Sequence, residues 1–175
     1  MAGIKPSRRA ALGLGGAALV GAAAVGVMAK RKDEVKATGP YRRIATEEAF
    51  ATPALMAESQ RVLEAGGVEP GFAKMGKFVF GNGVAQRFLH GRLLDLGDKR
   101  IAQMDADGVD LAVISITSPG VQVFEASRAV GISAEANDIL SAAVRARPTR
   151  FAGLAAVAPQ APVLAAKALD RAQGL

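Results

Sequence analysis

An α/β fold on a parallel sheet follows from two features of the sequence. Short apolar runs bounded by turn residues, Leu111–Ile116 above all, alternate with longer stretches whose apolar residues recur every three or four positions. The order is strand, helix, loop, helix, strand, helix, strand, helix. Strands that alternate with helices pair in parallel through right-handed crossovers. The sequence has no internal repeat.

The first strand is placed at Tyr41–Thr46 and ends on two adjacent carboxylates, Glu47 and Glu48. Pro53 to Glu64 then has helical spacing, with Leu55, Met56, Ser59 and Leu63 on one side. Thr52 can cap this helix, Pro53 suits its first position, and Gly66-Gly67 stops it. Residues 66–83 carry several glycines and alternating Lys and Phe residues without a clear period. They read as a long loop or insertion, of the kind that serves as a lid or binding loop. A second helix is expected from about Gln86 to Asp107. Leu93, Leu94, Ile101 and Met104 lie on its apolar side, Asp95, Asp98, Lys99 and Arg100 on the other, and Gly108 ends it.

Leu111–Ile116 has the near-continuous apolar character of a strand buried on both faces. Ser118-Pro119-Gly120 is a turn. The third helix is expected over Ser133–Arg147, with Ser133 as a possible cap and Ile139, Leu140, Ala143 and Val144 inward, and Pro148 closes it. Phe151–Val157 is the third strand, Pro159–Pro162 a loop and Val163–Gln173 the last helix.

The chain has no cysteine, which excludes disulfides and thiolate metal sites. It has no tryptophan and few other aromatics, which argues against base-stacking platforms for nucleic acid. Its net charge of +6 includes Lys5, Arg8 and Arg9. Without residues 1–29 the balance is 19 − 16 = +3, which removes the main support for a nucleic-acid partner.

Residues 1–29 combine a basic start, an Ala/Gly/Leu/Val run from Ala10 to Ala29 and a small residue at the end of Val27-Met28-Ala29, the layout of a signal peptide. Ser7-Arg8-Arg9 before a weakly hydrophobic, glycine-rich run resembles a twin-arginine export signal, although Ala10-Ala11-Leu12 stands where a phenylalanine is common. The expectation is a signal helix handled by the twin-arginine machinery, and an exported, periplasmic protein. The alternative is an uncleaved membrane anchor, since residues 10–29 reach the roughly 20 apolar residues a span needs. Gly13-Leu14-Gly15-Gly16-Ala17-Ala18 matches G-x-G-x-x-A, but no strand precedes it as a dinucleotide fingerprint requires. Lys30–Pro40 is a charged linker, leaving 41–175 as the folded domain.

The candidate site residues follow from this layout. Glu47 stands where a first strand of a parallel sheet delivers a carboxylate to a mouth, or it is a solvated or helix-capping acid. Glu48 points to the other side of the strand and reads as structural. His90, the only histidine, sits near the start of the Gln86–Asp107 helix, where it contacts substrate or is solvated, as a lone helical histidine usually is. Arg87 and Arg92 pair with a substrate carboxylate or are surface residues. Thr117 and Ser118 contact substrate or merely make the turn after the second strand.

Six blocks occur in order: Arg43 to Thr52, Arg92-Leu93-Leu94-Asp95-Leu96-Gly97, Met104 to Asp110, Thr117 to Gln122, Ala136-Asn137-Asp138, and Arg147 to Phe151. Together they resemble the amidohydrolase-related, metal-dependent decarboxylases, the group that includes γ-resorcylate and aminocarboxymuconate-semialdehyde decarboxylases. Thr46 to Thr52 looks most like the carboxyvanillate-type branch. The resemblance covers about residues 41–175. It implies a (β/α)8 TIM-type barrel with one divalent ion, Zn²⁺ or Mn²⁺, at its carboxyl mouth, and Glu47 as a metal ligand. Many relatives carry Glu-x-His there; Ala49 replaces the histidine here, as in the carboxyvanillate-type branch. An oxygen-rich site of that kind suits Mn²⁺.

The implied substrate is a small aromatic carboxylate, and complete relatives are expected to be homo-oligomers. A barrel needs eight strands and about 250 residues. Three βα units are legible here, so the fold is expected to be an incomplete barrel whose catalytic acid and further ligands lie beyond Leu175. The chain by itself is expected to be inactive. It reads as the N-terminal part of an aromatic-acid carboxy-lyase. The alternatives are a non-catalytic remnant, a half-barrel completed by a partner chain, or a hydrolase of the same superfamily.

Overall fold

The structure, a computed structural model, describes residues 41–172. The export segment and linker expected over 1–40 lie outside the described residues, as do 173–175. The described residues form three parallel strands in the order β1-β2-β3: β1 (Ile44–Phe50), β2 (Leu111–Ile116) and β3 (Phe151–Gly153). Six helices connect and cover them: α1 (Pro53–Ala65), α2 (Pro70–Phe80), α3 (Val84–Leu93), α4 (Asp98–Asp107), α5 (Ala126–Ala146) and α6 (Pro162–Ala172).

β1 runs four residues past its expected end, so Glu47 and Glu48 lie within the strand. The reason is the register. Ala45 pairs with Ala112 and Glu48 with Ile114, which leaves one extra residue on β1 between them. This is a β-bulge, and beyond it pairing resumes through Ala49 and Phe50, opposite Ser115 and Ile116. Phe50, Ala112, Ile114 and Phe151 then form one buried layer with Met104 of α4 and with Ala136 and Leu140 of α5. β2 is not buried on both faces as expected. Ala112 and Ile114 are inaccessible, whereas Leu111, Val113 and Ser115 are half-buried, because these helices cover one face only.

A second core lies among the helices. Leu55 and Met56 of α1, Phe72 and Phe80 of α2, and Leu93 of α3 meet Val121, Phe124 and Ala129. α1 follows the expected pattern: the Thr52 hydroxyl accepts from the Leu55 amide at 3.1 Å, Pro53 opens the helix, and Gly66 ends it at φ 71°. Such a cap contributes about 1 kcal/mol.

The stretch 66–83 is a helix, not a loop. Glu69 caps α2 through its carboxylate, which accepts from the Gly71 and Phe72 amides, and these bonds hold it below the usual carboxylate pKa. Phe72, Gly76 and Phe80, four residues apart, form its buried face. Gly76 lets Leu63 pack closely there, since a Cβ would sit 2.8 Å from a Leu63 methyl and displace it. The single long helix expected over 86–107 is broken at Leu94–Gly97, between α3 and α4. Asp95 accepts from the Gly97 amide at 2.9 Å, a local turn that competes with helix continuation.

Three further boundaries move. α5 starts at Ala126, seven residues before the expected Ser133, because Glu125 caps it from the Ser127 and Arg128 amides. Ser133 is interior, with its hydroxyl donating to the Val130 carbonyl at 3.1 Å, and Ile139 faces outward. β3 ends at Gly153, since ladder pairing to β2 stops at Ile114. The chain continues past it to a clamp: Asn137 Nδ2 donates to the Ala156 carbonyl and its Oδ1 accepts from the Ala156 amide, at 2.8 and 2.7 Å.

Arg100 departs most from expectation. The sequence places it on the solvent side of a helix; its side chain is 10% exposed. Its guanidinium donates to the carbonyls of Ala49, Arg92 and Asp95 at 2.8, 3.0 and 2.7 Å, and lies 3.4 Å from the Glu48 carboxylate. Glu48 is structural, as expected. Burial lowers the Arg100 pKa, against the pull of Glu48 and Asp95. Arg100→Met leaves three carbonyls without their donor, two of them partly buried. It is expected to destabilise the chain by about 2 kcal/mol in urea unfolding, with Arg100→Lys intermediate.

Glu58 is a second polar tie. This buried carboxylate receives Arg61 at 2.5 Å and lies 3.9 Å from Arg128, linking α1 to α5. The Arg61 hydrogen bond holds its pKa below the ordinary 4.5; burial opposes this, and the charges of Arg61 and Arg128 reinforce it. The folded pKa is depressed, so this stabilisation is present above the unfolded value and is lost as the pH falls through the folded one. Urea midpoints of Glu58→Gln and the parent chain should therefore differ at neutral pH and converge below pH 4.5.

Candidate functional site at the open face of the sheet

Parallel sheets present ligands at the carboxyl ends of their strands, and here the loops at those ends are tied to one another. The Thr117 amide donates to the Phe50 carbonyl at 2.7 Å, which joins the loop after β2 to the end of β1. Gln160 Nε2 donates to the Val121 and Phe124 carbonyls at 2.9 and 3.0 Å, joining the loops after β2 and β3. The Ser118–Gly120 turn forms as expected, with Gly120 at φ 68° and its amide on the Thr117 carbonyl at 2.8 Å. Val121 and Phe124 of the same loop are buried, so the rim rests on the core.

The face of the sheet turned away from α4 and α5 is set by strand alternation. Phe50, Ala112, Ile114 and Phe151 point into the helix-packed layer. Glu47, Ala49, Val113, Ser115 and Ala152 therefore share the opposite face. The bulge decides this arrangement, because without the extra residue Glu47 would take the inward parity of Ala45. Glu47 is exposed on that face, and Ala49 lies beside Ser115 in the register. The result is a shallow, mostly apolar floor with one carboxylate and one hydroxyl.

Glu47 is thus exposed on the open face, within the strand and not at its end. Ser115 was not singled out from the sequence; its pairing with Ala49 could not be foreseen from a strand read as apolar throughout. Thr117 is buried and holds the rim through its backbone, while Ser118 is exposed beside it.

The other candidates lie elsewhere, in the α2–α3 hairpin. His90 is near the carboxyl end of α3, not near the start of a long helix, and its Nε2 donates to the Val79 carbonyl at 2.7 Å. Arg87 donates to the Asn82 carbonyl at 2.7 Å, and the Arg92 guanidinium sits 5.9 Å above the Phe88 ring. Arg92 also lines a groove of about 520 Å³ with Glu48, Ala49, Lys99 and Arg100, along the free edge of β1. The structure accordingly places Glu47 on the open face of β1 and Thr117 and Ser118 at the end of β2, and engages Arg87 and His90 in holding the hairpin.

Among the described residues no group of three or more His, Asp or Glu side chains is arranged to hold a metal ion. Glu47 is the one described carboxylate on the open face, and a structural or catalytic ion held by protein needs about three or more ligands. Within the described residues the donor set does not fit a complete metal centre.

No family model matches the sequence. A γ-resorcylate decarboxylase from Polaromonas sp. strain JS666 is 42% identical over 84 residues, which are 47% of this chain and 26% of that protein. The structure of a 5-carboxyvanillate decarboxylase from Novosphingobium aromaticivorans, complexed with manganese and 4-hydroxy-3-methoxy-5-nitrobenzoic acid, matches with a TM-score of 0.65 at 40% identity. That match covers 69% of this chain and 35% of the solved one. A 5-carboxyvanillate decarboxylase from Sphingomonas paucimobilis matches with a TM-score of 0.69 at 37% identity, covering 75% and 39%. This chain therefore spans about a quarter of the curated relative's length and just over a third of the solved ones. Over that part it is a homologue of the γ-resorcylate and 5-carboxyvanillate decarboxylases.

Proposed function

We propose that this chain supplies the first three βα units of a (β/α)8 barrel of the amidohydrolase type, and that the whole barrel decarboxylates a small aromatic acid. The likeness at 40% identity to a decarboxylase solved with manganese and an aromatic carboxylate carries this reading. Glu47 on the open face supports it, since the bulge turns a carboxylate where a barrel's interior would be. The ion, Mn²⁺ or Zn²⁺, supplies Lewis-acid polarisation when bound. Because the described residues offer one ligand, no chemical step is assigned to them. Their part is to present the Glu47 carboxylate, to floor the site with Ala49, Val113 and Ala152, and to hold the rim through Thr117, Asn137 and Gln160. Residues 1–29 export the protein through the twin-arginine route, or anchor it if they are retained.

The test uses the 175-residue chain alone and together with the remaining two-thirds of the Novosphingobium relative, expressed as a separate polypeptide. The chain alone should release no CO2 from 5-carboxyvanillate or 2,6-dihydroxybenzoate. The complemented pair should bind manganese and turn over, and Glu47→Gln should lose both. Turnover by the isolated chain, or an assembled pair indifferent to Glu47→Gln, overturns the proposal.

A further inference from the structure

The α2–α3 hairpin carries a surface that the barrel reading leaves unused. From Pro70 to Leu94 the sequence contains no aspartate or glutamate, yet it holds Lys74, Lys77, Arg87 and Arg92. All four cations are exposed, and none forms an ion pair among the described residues. Large apolar side chains stand among them: Met75 is 57% exposed, Phe78 64%, Val84 76% and Phe88 72%.

Helical geometry sorts these residues. In α2 the buried face is Phe72, Gly76 and Phe80, which puts Lys74 and Phe78 on the opposite side, flanked by Met75 and Lys77. In α3 Leu93 faces inward and Leu89 is half-buried, which puts Val84 and Phe88 outward, with Arg87 and Arg92 flanking them. Arg92 over the Phe88 ring keeps the charge beside the aromatic face.

The hairpin is also held firmly on its inner side. Gln60 of α1 donates to the Phe80 carbonyl and to Asn82 Oδ1 at 2.9 and 3.1 Å, and His90 bridges α3 to the Val79 carbonyl of α2. The inner apolar residues are thus already committed to the core, whereas among the described residues Met75, Phe78, Val84 and Phe88 remain largely exposed.

We propose that the outer face of α2–α3 docks on an anionic lipid surface. Charge selects the occupant: the hairpin carries four cations and no acid of its own, with Glu48, Asp95 and Asp107 bordering it only along the Phe88–Arg92 groove, and such a surface needs a negatively charged partner. Interleaved Phe, Met and Val side chains select one with an apolar layer beneath its charge. Nucleic acid and an acidic protein answer only the first requirement in full. The proposal does not depend on the decarboxylase reading.

The chain has no tryptophan, so Phe88→Trp makes a single reporter at a position already solvent-exposed. The full 175-residue protein is mixed with equimolar phosphatidylglycerol–phosphatidylcholine vesicles, and separately with phosphatidylcholine alone. Residues 10–29 can attach the chain to either vesicle, so the readout is the environment of the tryptophan and not sedimentation. A blue shift is expected with the anionic vesicles alone, reduced by salt, and absent for a Leu169→Trp reporter on α6. Neutralising each of Lys74, Lys77 and Arg87 should weaken partition about fivefold.

Circular dichroism of each variant verifies the fold. Equal shifts on both vesicle types, or no shift on either, overturn the proposal. So does a shift that grows with protein concentration in the absence of lipid, which would make this face an interface between copies of the chain.

Discussion

The Arg100 guanidinium is the contact on which the site's geometry depends. It gathers the carbonyls of Ala49 at the end of β1, Arg92 at the end of α3 and Asp95 in the break between α3 and α4, and it faces Glu48. The end of a strand about fifty residues away and the two sides of the nearby helix break therefore share one planar donor, which a rigid five-donor fork can arrange. A helix that ran unbroken from α3 into α4 could not bring those carbonyls together. The Asp95 turn breaks the helix at Leu94–Gly97, and Arg100 ties that break to the end of β1.

Directly beneath that clamp lies the β1 bulge. It changes the parity of the strand, so Glu48 and Phe50 turn toward Arg100 and the helical layer while Glu47 and Ala49 turn to the open face. The clamp and the bulge cooperate: Arg100 bonds the backbone at Ala49, two residues after Glu47, and so holds the turned segment in register. Local structure, packing and candidate chemistry meet in this pentapeptide from Thr46 to Phe50.

The helices are started largely by side-chain oxygens. Thr52, Glu69 and Glu125 each accept from the first-turn amides of α1, α2 and α5. Two of the three are glutamates. The Ser127 hydroxyl and the first-turn amides hold the Glu125 pKa below its usual range, and the amides alone do so for Glu69. At the other end of the sheet, Arg150 reaches Asp105 at 2.6 Å and the carbonyls of Val109 and Asp110, while the Arg43 amide donates to Asp110 at 2.7 Å. Polar ties thus close the amino ends of the strands, while the carboxyl ends carry the loops that form the rim.

By itself the sequence determined the three strands and their parallel pairing, the helices that follow each of them, the α1 cap at Thr52 and the turn at Ser118–Gly120, all of which rest on local period and turn chemistry. The ordered motifs likewise resemble those of the decarboxylases. What the tertiary structure decided was of another kind. The α2 helix needed Leu63 to accept Gly76 and Gln60 to hold Phe80, contacts from another helix that offset its glycines. The early start of α5 rested on a glutamate cap, a residue type less common in that role than Ser, Thr, Asp or Asn. The burial of Arg100 and the facing of Glu47 depended on a one-residue bulge, which no period reveals because it is a mismatch between two strands more than sixty residues apart. Local chemistry is written in one segment; register and burial belong to pairs of segments, and only the folded chain brings those pairs together.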